Sequence, residues 1–207
     1  MSQFSGALSS AAVILIPLTA IIGVTLIALL LATLSHKQLR IWPTPGPKTW
    51  QSYVFWPLFR GLNVLTFALA MISQARYLGL PDWFRALAFL ALAASLATFI
   101  YAFRALGRDN SYGAQDGLIT SGIYQWSRNP QNAMLIVVYG ALALAADNGP
   151  AYLACAAMMI VYALMVLAEE PWLRETYGDA YVQYCSTVPR FFNWRRAASK
   201  VGIQSSS

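Results

Sequence analysis

Apolar residues run along this chain in long, nearly unbroken blocks separated by short polar stretches, and the lengths of the blocks predict the elements. The first block, from about Leu8 to Leu34, carries no charge and, at ~1.5 Å of rise per residue, is long enough to cross ~30 Å of hydrocarbon as a helix. Further blocks of sufficient length run from about Phe55 to Ser73 and from about Trp83 to Phe103. Two closely spaced blocks follow, Asn132 to Ala146 and Ala151 to Ala168, joined by DNGP, whose turn chemistry predicts a tight antiparallel hairpin. The connector HKQLRIWPTPGPKTW after the first block is too rich in proline and glycine for regular helix. The expectation is an all-α integral membrane protein of about five transmembrane helices with a C-terminal helical hairpin.

Composition strengthens that picture. Of 207 residues, 58% are hydrophobic and 11% charged, against about 45–50% and about 25% in soluble domains, so a soluble globule and a disordered chain are both excluded. The net charge of +6 raises nucleic acid as a partner. The basic residues are scattered between apolar blocks rather than gathered on one face, so no nucleic acid is expected. Cys155, Cys185 and the single His36 make neither a disulfide framework nor a zinc site.

Charge instead reports topology. Five crossings put Lys37, Arg40, Lys48, Arg104, Arg108, Arg128, Arg174, Arg190, Arg195, Arg196 and Lys200 on one side and leave only Arg76 and Arg85 on the other. The positive-inside rule then places the N-terminus out and the C-terminus in the cytoplasm. Arg60 falls within the start of the second block, on the basic side. Met1 to Ala7 carry no Lys or Arg, so the first block reads as a span rather than a cleaved signal. Small size and the lack of eukaryotic targeting signals point to a bacterial inner membrane.

Two polar stretches, both on the expected cytoplasmic side, hold candidate chemistry. In GLITSGIYQWSRNPQN (Gly117–Asn132), Gly122 allows close backbone approach and Pro130 opens the fourth helix. In EEPWLRETYGDAYVQYCSTVPRFF (Glu169–Phe192), adjacent carboxylates at the end of an apolar helix are costly near hydrocarbon and mark function by default. Pro171, directly after the pair, predicts that the fifth helix ends there and a new one begins. Structural readings stand beside these. Glu170 and Arg174 are spaced i, i+4 as an ion pair, and Trp42, Trp50, Trp56 and Trp83 read as interface anchors. Tyr177, Tyr181 and Tyr184 read as an aromatic belt and a pocket wall in equal measure, and Asn63 and Gln74 as interhelical hydrogen-bonding groups. His36 reads as a solvated interface residue and Cys155 as a core residue.

The order LITSGIYQWSRNP, apolar hairpin, Glu-Glu pair, YGDAYVQYCSTVPRF resembles the integral-membrane methyltransferases that include isoprenylcysteine carboxyl methyltransferase and the phospholipid (phosphatidylethanolamine) N-methyltransferases. The resemblance covers about Arg104 to Phe192, somewhat under half of the chain. It implies methyl transfer from S-adenosyl-L-methionine at the cytoplasmic membrane face to a lipophilic or lipid-modified acceptor, with the bilayer as partner and no metal. The implied cofactor contacts are Gln115, Leu118, Gly122, Tyr124, Arg128, Asn129 and Pro130 from the loop, Glu169 and Glu170 from the pair, and Tyr181. Among catalytic candidates, Glu170 is the nearest base for an amine acceptor, and Arg104 or Arg190 would orient a carboxylate or thiolate.

Many members have His where this chain has Asn129 and Tyr where it has Asn132. Asparagine does not titrate near neutrality, which removes a proton-shuttling role there. The implied organisation is three transmembrane helices over 1–103, a methyltransferase-like core over 104–192 and a disordered tail over 193–207. Two alternatives remain open. Membrane sterol reductases share a similar C-terminal core and an ending like YCSTVPRF, which implies NADPH and hydride transfer, although the Glu-Glu pair and the short chain weigh against it. The second alternative is a non-catalytic membrane scaffold that keeps the fold without chemistry.

Overall fold

A backbone in hydrocarbon has no water to bond to and must satisfy its N–H and C=O groups within its own segment, so each apolar block folds as a helix. In this computed structural model, which describes residues 2–72, 76–107 and 117–192, the helices are α1 (Ser2–Ser35), α2 (Trp50–Ile72), α3 (Asp82–Leu106), α4 (Pro130–Ala146) and α5 (Gly149–Thr187). One-turn 3-10 helices stand at Lys37–Leu39 and Gly122–Gln125. Gln74, Arg108, Gln115 and the tail 193–207 lie outside the described residues.

Four helices, α1, α2, α3 and α5, are long and apolar enough to cross a membrane. The 17 residues of α4 cover about 25 Å at helical rise, and α4 packs along α5 as the other arm of the expected hairpin. The chain is thus an all-α, multi-pass membrane protein. Helix α5 sits at its centre, against α1, α2 and α4, while α3 packs on α4. Leu26 and Leu30 of α1, Phe55 and Leu62 of α2, Tyr139 and Leu142 of α4, and Met158, Val161 and Tyr162 of α5 form the main core. Large apolar side chains such as Val13, Val64, Met71, Leu90 and Leu153 are exposed on the outside of the bundle, as lipid-facing surface requires. Inside it, the Tyr139 hydroxyl donates to the Asn63 carboxamide oxygen and ties α4 to α2, the role expected of an amide within a span. His36 is exposed and Cys155 is buried in the core.

The DNGP turn does more than reverse the chain. Asp147 adopts the left-handed conformation (φ 49°), and the Asn148 side chain caps α5 by accepting from the Ala151 N–H at 2.8 Å. The buried Asp147 carboxylate accepts from the N–H groups of Leu78 and Leu80, each at 2.9 Å, and from the Tyr152 hydroxyl at 3.1 Å. Arg85 Nε donates to the Ala145 carbonyl at 3.0 Å. The connector between α2 and α3 is thereby clamped to the hairpin tip. Burial opposes ionisation of Asp147, but those two N–H donors, the Tyr152 hydroxyl and the Arg85 charge outweigh it and hold the carboxyl below its usual range.

Helix α5 departs from expectation. It does not end at the glutamate pair but continues through Pro171 to Thr187, with one non-helical residue, Gly178 (φ 53°, ψ −132°). Proline removes one helical donor and bends a helix without having to stop it. The true break falls where glycine permits a backbone conformation that L side chains rarely adopt. Beyond it, Tyr181 and Tyr184 turn inward and are buried with Val188.

Candidate functional site

The two polar stretches meet. Pro130 is the first residue of α4, as its fixed φ and missing donor favour, and the loop before it is stitched to the end of the α5 segment. Tyr184 Oη donates to the Tyr124 carbonyl at 2.6 Å, and the Arg128 N–H donates to the Pro189 carbonyl at 3.1 Å. The Asn129 side-chain amide and the Ser127 hydroxyl both donate to the Arg190 carbonyl, at 3.2 and 3.3 Å. Gly122 earns its place differently from the expectation of close backbone approach. It is exposed with φ 60°, and an added Cβ would meet nothing within 4 Å, so positive φ at the start of the 3-10 turn is what selects glycine.

Under this junction lies an ion cluster. Arg190 grips Glu170 bidentately, Nε to Oε1 at 2.9 Å and Nη2 to Oε2 at 2.6 Å, and Arg128 Nη2 lies 3.1 Å from Oε1. Glu170 is buried and has both oxygens engaged. Its hydrogen bonds hold the Arg190 guanidinium pKa above its ordinary value. Arg174, the helical-spacing partner considered for Glu170, is exposed.

Beside the cluster opens a cavity of about 320 Å³, within the range of small-molecule sites. Its walls come from Trp42 in the connector, Trp56, Phe59 and Arg60 on α2, and Phe99 and Phe103 on α3. The loop and the start of α4 add Leu118, Tyr124, Arg128, Asn129, Gln131 and Asn132, and α5 adds Glu169, Trp172, Tyr177, Tyr181 and Tyr184. Burial raises the Tyr124 phenol above its ordinary pKa, so it serves as a neutral group and accepts from Gln131 Nε2 at 3.2 Å.

Of the residues nominated from sequence, Leu118, Tyr124, Arg128, Asn129, Glu169 and Tyr181 line this cavity. Glu170 and Arg190 stand outside the lining, bonded to each other. Pro130 is buried at the helix start, Gly122 is exposed, and Gln115 lies outside the described residues. Arg104 is exposed and outside the lining although its neighbour Phe103 belongs to it.

Two tryptophans correct the interface-anchor reading. Trp42 is buried and donates from Nε1 to Glu169 Oε2 at 3.4 Å, and Trp56 packs edge-on against it at 6.0 Å. Trp50 and Trp83 are exposed, as anchors should be. The sequence signal for the α2 wall was Arg60, an ionisable residue inside an apolar block.

Two buried polar atoms here, Arg128 Nε and Tyr181 Oη, have no hydrogen-bond partner. Buried polar groups are otherwise nearly always paired, so these two donors point to a ligand. With Glu169 they offer an anion-binding donor, a hydroxyl and a carboxylate inside aromatic walls, a set suited to a zwitterion that carries extra positive charge.

Fold and site together define a polytopic helical membrane protein with a built small-molecule cavity where loop, hairpin and α5 meet. Residues 83–180 match the family model described as phospholipid methyltransferase, a segment from α3 through the hairpin to the turn after Gly178. That match agrees with the resemblance carried by the sequence motifs, and it extends further into α3 than the motifs themselves reach. Comparisons with curated proteins and with solved structures found no match.

Proposed function

We propose that this protein transfers a methyl group from S-adenosyl-L-methionine to a lipophilic acceptor at the cytoplasmic face of the membrane. The observation that carries the reading is that Glu169, Arg128 and Tyr181 line one aromatic-walled cavity while Arg128 Nε and Tyr181 Oη are buried without a hydrogen-bond partner. The residues fit this cofactor: Arg128 suits its carboxylate, Glu169 its ammonium, and the aromatic faces its sulfonium. When bound, the cofactor supplies an electrophilic methyl group on a cationic sulfur.

The chain's own residues supply orientation. In-line displacement at a methyl carbon needs no covalent enzyme intermediate, so holding donor and acceptor in line is the main source of acceleration. Glu170 acts as a positioning residue, since its carboxylate is occupied by Arg128 and Arg190. Glu169 is the carboxylate of the pair that faces the cavity, and it is the one placed to hold the cofactor's ammonium. Apolar walls from α2 and α3 receive the acceptor laterally from the bilayer, and the positive-inside charge distribution supports the cytoplasmic face.

Calorimetric titration of S-adenosyl-L-methionine and its demethylated product into detergent-purified protein tests this. Wild type should bind at micromolar concentration, and Glu169→Gln and Arg128→Lys should each weaken binding about tenfold, the loss expected for one charge-assisted hydrogen bond. Arg128→Lys keeps the charge beside Glu170 while removing Nε. No binding by folded wild type, with binding of NADPH in a parallel titration, would replace this reading by the reductase one.

A further inference from the structure

The connector between α1 and α2 is too rich in proline and glycine to be helical, yet its middle folds into the bundle rather than away from it. Ile41, Trp42, Pro43 and Thr44 are all buried. Two anchors fix where the indole stands. The Ile41 N–H donates to Thr33 Oγ1 of α1 at 3.1 Å, and the Trp42 ring packs on Phe55 of α2 with centroids 5.0 Å apart. From that seat Nε1 reaches Glu169 Oε2 on α5, 127 positions further along the chain. The connector lies before the segment 83–180 that the family model matches, so the match does not account for this contact.

The two neighbouring glutamates are held by different means. Glu170 takes two guanidinium partners. Glu169 takes the indole N–H, a neutral donor that orients a carboxylate without pairing it with a cation. Orientation has value here. A glutamate free to rotate spreads over several rotamers, and a ligand that needs it in one of them must order it on binding. A side chain already held by packing and hydrogen bonds spares the ligand that cost.

We propose that Trp42 is a positioning residue of the cofactor site: its indole N–H fixes Glu169 in the cavity and holds the carboxylate ready for the cofactor's ammonium. This deepens the methyltransferase reading and rests on it for the cofactor. Thr33 and Phe55 fix Trp42, and Trp42 fixes Glu169, so the α1–α2 connector is a working part of the site although it lies outside the matched segment. A Lys or Arg in place of Trp42 would hold Glu169 equally well but would occupy it with a cation and leave less for the ligand.

The test uses the full chain in detergent and titrates two ligands calorimetrically, the demethylated cofactor product and its counterpart lacking the amino group. Wild type should prefer the amino-bearing product by about tenfold or more, the worth of one charge-assisted hydrogen bond. Trp42→Phe keeps a ring against Phe55 and deletes the N–H. It should shrink that preference about fivefold, the cost of ordering one side chain, and should leave affinity for the counterpart nearly unchanged. Glu169→Gln should shrink the preference at least as far, and adding Trp42→Phe to Glu169→Gln should change it no further, since the two residues act as one unit. Equal weakening of both ligands in Trp42→Phe means a general loosening of the cavity, and an unchanged preference means that the indole does not act on Glu169; either result overturns the inference. If Trp42→Phe does not fold, Thr33→Val decides by the same pair of titrations, because it releases the Ile41 N–H and leaves the indole in the chain: a smaller preference supports the inference and an unchanged one overturns it. Folded wild type that binds neither ligand removes the cofactor reading and this role with it, whereas binding with a preference insensitive to Trp42 removes this role alone.

Discussion

Two adjacent glutamates meet opposite fates. Glu170 is buried between Arg128 and Arg190, whereas Glu169 faces the cavity with Trp42 on one oxygen. The costs of removing them therefore differ in kind. Glu170→Ala strands the buried Arg128 guanidinium, and loss of one partner of a buried pair destabilises by about 3–5 kcal/mol. Unfolding in detergent should show that loss, and the desolvated charge left behind is its cause. Arg190→Ala should cost less, since its side chain is 40% exposed and exposed partners are screened. Glu169→Gln should leave stability nearly unchanged while weakening cofactor binding, a separation that a shared structural role for the pair would not produce.

At the scale of elements, the break in α5 and the clamp on the hairpin tip carry the site's geometry. Gly178→Ala forces a side chain into φ 53°, ψ −132°, at a cost of about 1–3 kcal/mol. It should also misplace Tyr181 and Tyr184, so cofactor binding and stability should fall together. Gly140→Ala is the control: an added Cβ there meets only the flexible end of Met159, Cε at 3.9 Å and Sδ at 4.0 Å. A helical glycine in such space gains up to about 1 kcal/mol on becoming alanine. Asp147 adds a pH dependence of known sign. Its folded pKa is depressed, so its stabilisation is complete above the unfolded value of about 3.9 and is lost as pH falls through the lower folded value. Asp147→Asn should be less stable than wild type at pH 7, with the gap closing in acid melts below about pH 4.

For the whole molecule, the cavity draws its walls from the connector, α2, α3, α4, α5 and the loop before α4, so ligand binding should stabilise the assembly as a unit. Saturation at about a hundred times Kd adds about 2.7 kcal/mol, which thermal melts with and without S-adenosyl-L-methionine should register in wild type. Much of this was legible beforehand. Block length and the need to satisfy the backbone in lipid settle where the helices lie, DNGP settles the hairpin, and two motif segments carry the resemblance to phospholipid methyltransferases, because each is a local property of the chain. Which glutamate faces the ligand is not local. Consecutive helical residues point about 100° apart, so one of the pair must turn to the cavity and the other away, and only the rotation of α5 against its neighbours chooses. The same holds for Trp42 and Trp56, which composition assigns to the interface and packing draws into the wall, and for Arg60 rather than Arg104 as a cation of the lining beside Arg128. Sequence alone determined that this chain is a helical membrane protein with methyltransferase motifs. Tertiary packing decided which side chains share the cavity, because those contacts join residues more than a hundred positions apart, as Trp42 and Glu169 show.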